Sequence, residues 1–314
     1  MRRSLRLRLL LAAALASLPV GLASAGQADK IVFIYGSSNA RGVPIFLVTV
    51  NPDGSERNPI AGGPSYGSPE WSPDRSQIVF ASYVANAGPD GVGGPCVWVV
   101  NADGTGARRV TRGPCYDSAP AWSPEGRQIA FTRSRGSGQQ LYVIGADGSG
   151  LRRLSGRVAA GGADASQGWS PDGKRILFVR TRVAGPWLAG ELFTVRPDGK
   201  DPRLLYRPPR GSIVSQADWH AGGRIALVLE RRDGREILAT IGADGKGLKE
   251  LVRFPARKNE RVAGLAWSPD GSRIAYCYLV SSPAELDESS RVILVVSADG
   301  GPPELLFDGC QPDW

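Results

Sequence analysis

Apolar and polar residues alternate along this chain in short runs, and the runs themselves return about every fifty residues. The alternating pairs are Ile78/Phe80, Ile129/Phe131, Ile176/Phe178, Ile225/Leu227 and Ile274/Tyr276. A period of two over such short stretches predicts strands with one face buried. Each run follows the same kind of turn: Trp71-Ser72-Pro73-Asp74, Trp122-Ser123-Pro124-Glu125-Gly126, Trp169-Ser170-Pro171-Asp172-Gly173, Trp267-Ser268-Pro269-Asp270-Gly271, and a degenerate copy at Trp219-His220-Ala221-Gly222-Gly223. Trp314 is a sixth tryptophan in the series, and the successive spacings are 51, 47, 50, 48 and 47 residues. Pro holds φ near −65° as a type I turn requires, Asp suits the next position, and Gly accepts the left-handed conformation that restarts the strand.

A second turn recurs at Asp53-Gly54, Asp103-Gly104, Asp147-Gly148, Asp198-Gly199, Asp244-Gly245 and Asp299-Gly300. Val or Ile stands three residues before each Asp (Val50, Val100, Ile144, Val195, Ile241, Val296), and Ile, Val or Leu stands seven after it (Ile60, Val110, Leu154, Leu205, Leu251, Leu306). Asp-Gly between apolar runs is a hairpin signal, so each unit is four antiparallel strands, A to D, with two hairpins at one end. Repeats of this length build solenoids or propellers, and no window shows the 3.6 period of a helical solenoid. The expected fold is all-β: a six-bladed β-propeller of four-stranded antiparallel blades. Residues 30–35 read as a strand B without its strand A, and Pro312-Asp313-Trp314 as a strand A without its strand B. The ring is therefore expected to close by pairing residues 30–35 with 311–314.

The W-S-P-D-G and A-D-G hairpins, over roughly residues 29 to 314, resemble the repeats of TolB-type β-propellers, which are also found in the propellers of prolyl oligopeptidases. The resemblance implies the fold more than an activity, because propellers host many unrelated functions. TolB itself carries an α/β domain ahead of its propeller. Here strand B is expected directly after the leader, without that domain.

The leader is residues 1–25. Arg2, Arg3, Arg6 and Arg8 form a basic start, Leu9 to Leu22 is mostly apolar, and Ala23-Ser24-Ala25 fits a cleavage site. The reading is a signal peptide without a lasting membrane anchor, an exported (periplasmic or extracellular) protein, and one propeller domain over residues 26–314. The leader changes the charge argument. The whole chain is +8, with 38 basic and 30 acidic residues; the leader holds four of the bases and none of the acids, leaving 34 against 30. That balance is too mild to point to nucleic acid. Four cysteines in an exported chain allow three pairings. Strand order brings Cys96 to Cys115 and Cys277 to Cys310, each pair expected within one blade and at the end away from the hairpins.

Chemistry is sparse. There is no Gly-x-Ser-x-Gly elbow, and His220 is the only histidine, so Ser-His-Asp catalysis and multi-His metal sites have little to work with. The Asp-rich turns, Asp90-Gly91 included, lack the oxygen spacing of an EF-hand and are read as turn residues. No cofactor or metal is expected. Tyr116, Asp117, Asp164, Gln216 and Arg261 could line the channel mouth. The connections over Tyr83–Pro95, Arg180–Gly190, Val280–Ser290, Ser155–Ala163 and Arg207–Ser212 swell at the end opposite the hairpins, where binding commonly resides. Trp187 lies in one of them, outside the blade positions. The functional expectation is a monomeric, non-catalytic binding or scaffold propeller for a protein or peptide partner, or an envelope glycan. The rival is a carbohydrate-active hydrolase or lyase, which convergent carboxylates of raised pKa in the channel would favour.

Overall fold

The computed structural model describes residues 30–35, 45–63, 66–83, 94–136, 138–156, 161–184, 187–256, 260–280 and 290–314. The leader and residues 84–93, 157–160 and 281–289 of three connections lie outside the described residues. Among the described residues every regular element is a strand, and no helix is long and apolar enough to cross a membrane.

The strands assemble in antiparallel sets of four. β4 (Tyr66–Trp71), β5 (Gln77–Tyr83), β6 (Pro95–Asn101) and β7 (Arg108–Arg109) form one sheet. β16 (Ser212–Trp219), β17 (Arg224–Arg231), β18 (Glu236–Gly242) and β19 (Lys249–Phe254) form a second, and β20 (Arg261–Trp267), β21 (Arg273–Val280), β22 (Ser290–Ser297) and β23 (Glu304–Asp308) a third. β8 (Asp117–Trp122), β9 (Gln128–Arg135), β10 (Gly138–Gly145) and β11 (Arg152–Arg153) pair in the same way, as do β12 (Ala163–Trp169), β13 (Ile176–Ala184), β14 (Trp187–Val195) and β15 (Arg203–Tyr206). A single parallel pair, Gln139 with Ala163, joins these last two sets. In the remaining sheet β24 (Cys310–Asp313) lies beside β1 (Ile31–Tyr35), then β2 (Ile45–Val50) and β3 (Asn58–Gly63). Val32 sits opposite Asp313 and Ile34 opposite Cys310. The arrangement is that of a propeller of small antiparallel sheets.

The hairpins form as their residues require. The N–H of Gly173 closes on Ser170 O and that of Gly271 on Ser268 O, with φ of +67° at both glycines. The Ser hydroxyl also bonds the turn carboxylate, at 2.6 Å from Ser72 to Asp74 and from Ser268 to Asp270. That bond, with the following backbone N–H, holds the Asp270 carboxyl down at about 2.

The core lies between successive sheets. Trp71 packs between the β1–β3 and β4–β7 strands, Trp122 between β4–β7 and β8–β11, and Trp169 between β8–β11 and β12–β15. Trp267 and Trp314 fill the two further junctions, the latter against Phe33, Ala266 and Phe307. These five indoles are at most 7% exposed. Trp219, which follows in the degenerate repeat, is only half-buried.

Both expected cysteine pairs are bonded, with Cα separations of 5.1 Å for Cys96–Cys115 and 4.8 Å for Cys277–Cys310. The second differs from expectation in what it joins. Cys310 is not in a crossover but opens β24, so this bridge ties the sheet of β21 to the next one. A second correction concerns residues 180–190. They were expected as a loop, yet β13 and β14 stay paired out to Ala184 opposite Trp187, because the apolar Val183 and Leu188 face each other in register and prolong the ladder. The Arg207–Ser212 connection is a compact turn closed by Ser212 N–H on Pro209 O.

Deleting residues 309–314 removes β24, Trp314 and one half of a disulfide. Loss of a buried Trp costs about 3–5 kcal/mol and loss of a native bridge about 2–5 kcal/mol. The truncated protein should therefore melt at least ~10 °C lower by circular dichroism, and Cys310→Ser alone should account for only part of the drop. A truncated chain that melts like the full one would show that β24 does not complete its sheet.

Candidate interaction rim and axial carboxylates

Apart from the single Gln139–Ala163 pair at the start of β12, the first strand of each set has a ladder on one side only, so its other edge carries backbone donors without a strand partner. These first strands contact one another in the succession β24, β4, β8, β12, β16, β20 and back to β24. Nearly every one is broken by a bulge two to five residues before its tryptophan, with register shifts at Gly67/Glu70, Ser118/Ala121, Ser166/Gly168, Val214/Gln216 and Ala263/Leu265. Ser68, Ala119 and Gln311 take φ near +50° there, and a bulge re-aims the side chains that follow it.

Side chains of the preceding sheet then meet the free donors. Asp313 accepts the N–H of Trp71 at 2.7 Å, Glu70 that of Trp122 at 2.8 Å, and Asp218 that of Trp267 at 2.9 Å. Gln311 accepts from Ser68 N, Gln167 from Ala217 N, Thr132 from Ser166 N and Glu236 from Val262 N. Between β20 and β24 the approach is of backbone on backbone: a Cβ at Gly264, where φ is +72°, would fall 2.8 Å from Gln311 Cα.

Glu70, Asp218 and Asp313 all occupy the position just before a blade tryptophan, and their charges repel one another across a shared space. Each keeps some accessible surface although protein surrounds it, as expected of groups lining an axial channel. Burial first, and the neighbouring carboxylates second, push Glu70 well above the usual carboxylate range. Burial likewise raises Asp313 and lifts Asp218 to about 6. Sequence reasoning missed these three. Their signal was an acid immediately before Trp71, Trp219 and Trp314, but without knowledge of the bulge the face on which that position falls cannot be read.

The residues singled out from the sequence fall in several places. Asp117 and Asp164 are fully buried and face strand arginines directly: Arg133 binds Asp117 bidentately at 2.6 and 2.8 Å, and Arg180 binds Asp164 at 2.7 and 2.8 Å. Each guanidinium also lies over two rings, Phe131 and Tyr142 or Phe178 and Phe193, at 4.9 to 5.5 Å. Both carboxylates are thereby occupied in neutralising cations, the buried Arg133 and the half-buried Arg180. Gln216 donates to Val262 O and belongs to the inter-sheet latches. Arg261 is exposed at the start of β20, where its charge offsets part of the burial that raises the Glu236 carboxyl. Trp187 begins β14 by its backbone, while its side chain lies outside the described residues.

Tyr116 is different. It is 47% exposed, and Tyr83 is 48% exposed. Tyr83 sits opposite Pro95 in the ladder. The ring of Tyr116 lies over the adjacent Gly94, where an added Cβ would fall 2.4 Å from it. The Cys96–Cys115 bridge fastens the two segments that carry this contact. One sheet further round, at the same end, Val183 and Leu188 form an exposed cross-strand pair. Among the described residues no group of three or more His, Cys, Asp or Glu could hold a metal ion.

Comparison with known proteins bears on the fold. The profile of the Tricorn protease N-terminal beta propeller domain matches residues 95–235. The Tol-Pal system protein TolB of Bordetella pertussis is 43% identical over 53 residues, 17% of this chain and only 12% of the relative's length. The crystal structure of TolB from Acinetobacter baumannii superposes with a TM-score of 0.71 at 17% identity, covering 97% of this chain and 69% of that one. The fold is a TolB-type β-propeller. Putative TolB from Agrobacterium tumefaciens is also similar, with a TM-score of 0.63 at 17% identity over 91% of this chain and 92% of that one. In the TolB-type propeller described above, the tryptophans and Asp-Gly turns that carry the likeness are the residues that build the sheet junctions and hairpins.

The raised Asp218 makes a testable demand. A carboxyl whose folded value is about 6 keeps its proton from about pH 4 to 6, where the unfolded chain has released it. The folded state then binds more protons, and the stability owed to this group falls as pH rises through that window. Asp218→Asn retains an oxygen for the Trp267 N–H but cannot titrate. Between pH 4 and 7 the variant should lose less stability than the parent, by on the order of 1–2 kcal/mol, read from urea midpoints at each pH. Identical slopes would show that Asp218 titrates as it does in water.

Proposed function

We propose that this chain is an exported, non-catalytic binding propeller of six blades, closed by β24 against β1. On this reading it presents the loop-bearing rim around Tyr83 and Tyr116, with the neighbouring channel mouth, to a protein or peptide partner. The observation that carries the reading is the pair of half-exposed tyrosines beside the Cys96–Cys115 bridge. Preordered aromatics at a rim supply contact area at low entropic cost and are common interface anchors. Six sheet junctions, each with its own tryptophan core, support the blade count, and two disulfides support an oxidising compartment. The likeness to a Tol-Pal system protein supports a partner in the envelope. A single domain over residues 26–314 after a cleaved leader completes the proposal.

A second reading, a carbohydrate-active enzyme, is favoured by the axial carboxylates, whose raised values are what an acid catalyst needs. Against it, Glu70, Asp218 and Asp313 each already hold a neighbouring tryptophan N–H, which is a structural duty.

Crosslinked capture from an envelope fraction separates the readings. Tyr83→Ser with Tyr116→Ser should lower recovery of the specific partner about tenfold or more with little change in melting temperature, while Arg127→Glu and Lys246→Glu at the hairpin end should leave it intact. Loss of capture with the hairpin pair alone would place the working face at the opposite end. Oligosaccharide cleavage that disappears in Asp218→Asn would establish the enzyme instead.

A further inference from the structure

The degenerate repeat widens a gap at the hairpin end that a sister repeat keeps smaller: the equivalent groove beside Trp122, under Pro124 and Glu125, holds about 400 Å³. In Trp219-His220-Ala221-Gly222-Gly223 the Pro and Asp of the usual turn are replaced by Ala221 and Gly222, and the turn is one residue shorter before Ile225. His220 does not fill the space. Its ring turns to the next sheet, 5.2 Å from the Trp267 ring, and contacts Pro269 O. Between this turn and the Ser170–Arg175 hairpin of the preceding sheet lies an open groove of about 760 Å³ with Trp219 in its wall.

The arginine that caps this indole elsewhere is also displaced. The residue just before the isoleucine of strand B lies over the tryptophan of the next sheet in two repeats: Arg224 over Trp267 at 5.0 Å and Arg273 over Trp314 at 4.6 Å. The equivalent residue facing Trp219 is Arg175. Its guanidinium is drawn aside instead, to Asp201 Oδ2 at 3.1 Å, Asp201 O at 2.6 Å and Thr194 Oγ1 at 2.8 Å. Arg203 holds the same Asp201 from the other side. Trp219 is thus the blade tryptophan whose face is left half-open.

We propose that this groove binds an acidic saccharide, with one pyranose ring laid on the indole of Trp219. An aromatic wall suits the C–H face of a sugar ring, and the planar edges of Asp172, Asp201, Arg196 and Arg203 suit vicinal hydroxyls. Four cations, Lys174, Arg175, Arg196 and Arg203, line the groove against two carboxylates, Asp172 and Asp201, and Asp198 pairs with Arg196 from outside the lining at 3.2 Å; the one positive charge left over selects a ligand carrying its own carboxylate over a neutral one. A nucleoside phosphate fits less well, because the surrounding backbone offers no anion nest. The N–H groups of Ser170, Gly173, Arg196, Gly223 and Ala243 are bonded within the turns, and that of Lys174 goes to Asp172. This site lies at the opposite end from the tyrosine rim and stands whether or not that rim binds a partner.

Isothermal titration of the full chain tests it, with uronate hexamers (mannuronate, guluronate and galacturonate), maltohexaose and ATP as probes. At least one uronate hexamer should bind below ~1 mM, with maltohexaose at least tenfold weaker. Ala221→Pro with Gly222→Asp, which restores the Pro and Asp side chains of the ordinary turn and narrows the groove, should weaken binding at least tenfold with little change in melting temperature. Arg196→Glu, on an exposed side chain, should weaken it about tenfold. Absence of binding by every uronate at 10 mM, binding that the restored side chains leave unweakened, or tighter binding of ATP than of any uronate would each overturn the proposal.

Discussion

The structure depends on how the free edge of each innermost strand is satisfied. A four-stranded sheet placed edge-inward exposes N–H groups where neither water nor another ladder is fully available, and an unmet buried donor costs about 1–3 kcal/mol. This chain meets the demand with side chains from the preceding sheet: Asp313, Glu70 and Asp218 on the N–H groups of Trp71, Trp122 and Trp267, with Gln311, Gln167, Thr132 and Glu236 on others. The same tryptophans bury their rings between the sheets, so hydrogen bonding and packing converge on one residue per repeat. Between β20 and β24, Gly264 lets the strands close directly and the Cys277–Cys310 bridge fastens the neighbouring strand.

Most of the fold was legible because its determinants are local. A Pro-Asp-Gly turn, an Asp-Gly turn and apolar residues two apart each act within ten residues, and their repetition multiplies a weak signal. The cysteine pairs followed from strand order alone. What escaped the sequence is what a bulge decides. One inserted residue moves every later side chain to the other face, so the acids before Trp71, Trp219 and Trp314 could not be assigned to the channel. Asp117 and Asp164 were expected at the channel mouth; what the sequence did not show is that their arginine partners, Arg133 and Arg180, come from the neighbouring strand through register. Residues 180–190 were misjudged because Gly and Pro there resemble a loop, whereas the flanking Val183 and Leu188 sustain a ladder.

The two ends of the molecule carry different consequences of repetition. At the loop end the repeats diverge freely, and a disulfide fastens the segments that bring Tyr116 over Gly94. At the hairpin end the repeats are nearly uniform, so a single degenerate copy stands out physically as well as in sequence: it removes a Pro and an Asp and opens the face of Trp219. A departure from the repeat is in each case where unspent surface chemistry appears.

Native-state hydrogen exchange at the backbone N–H groups of Trp71, Trp122 and Trp267 tests the latch account most directly. If the inter-sheet carboxylates hold the inner strands, these three amides should exchange only by global unfolding, with the same free energy and denaturant dependence as the buried amides of Ile129 and Ile176. Exchange of the three through local openings, at free energies well below the global value and insensitive to denaturant, would contradict it.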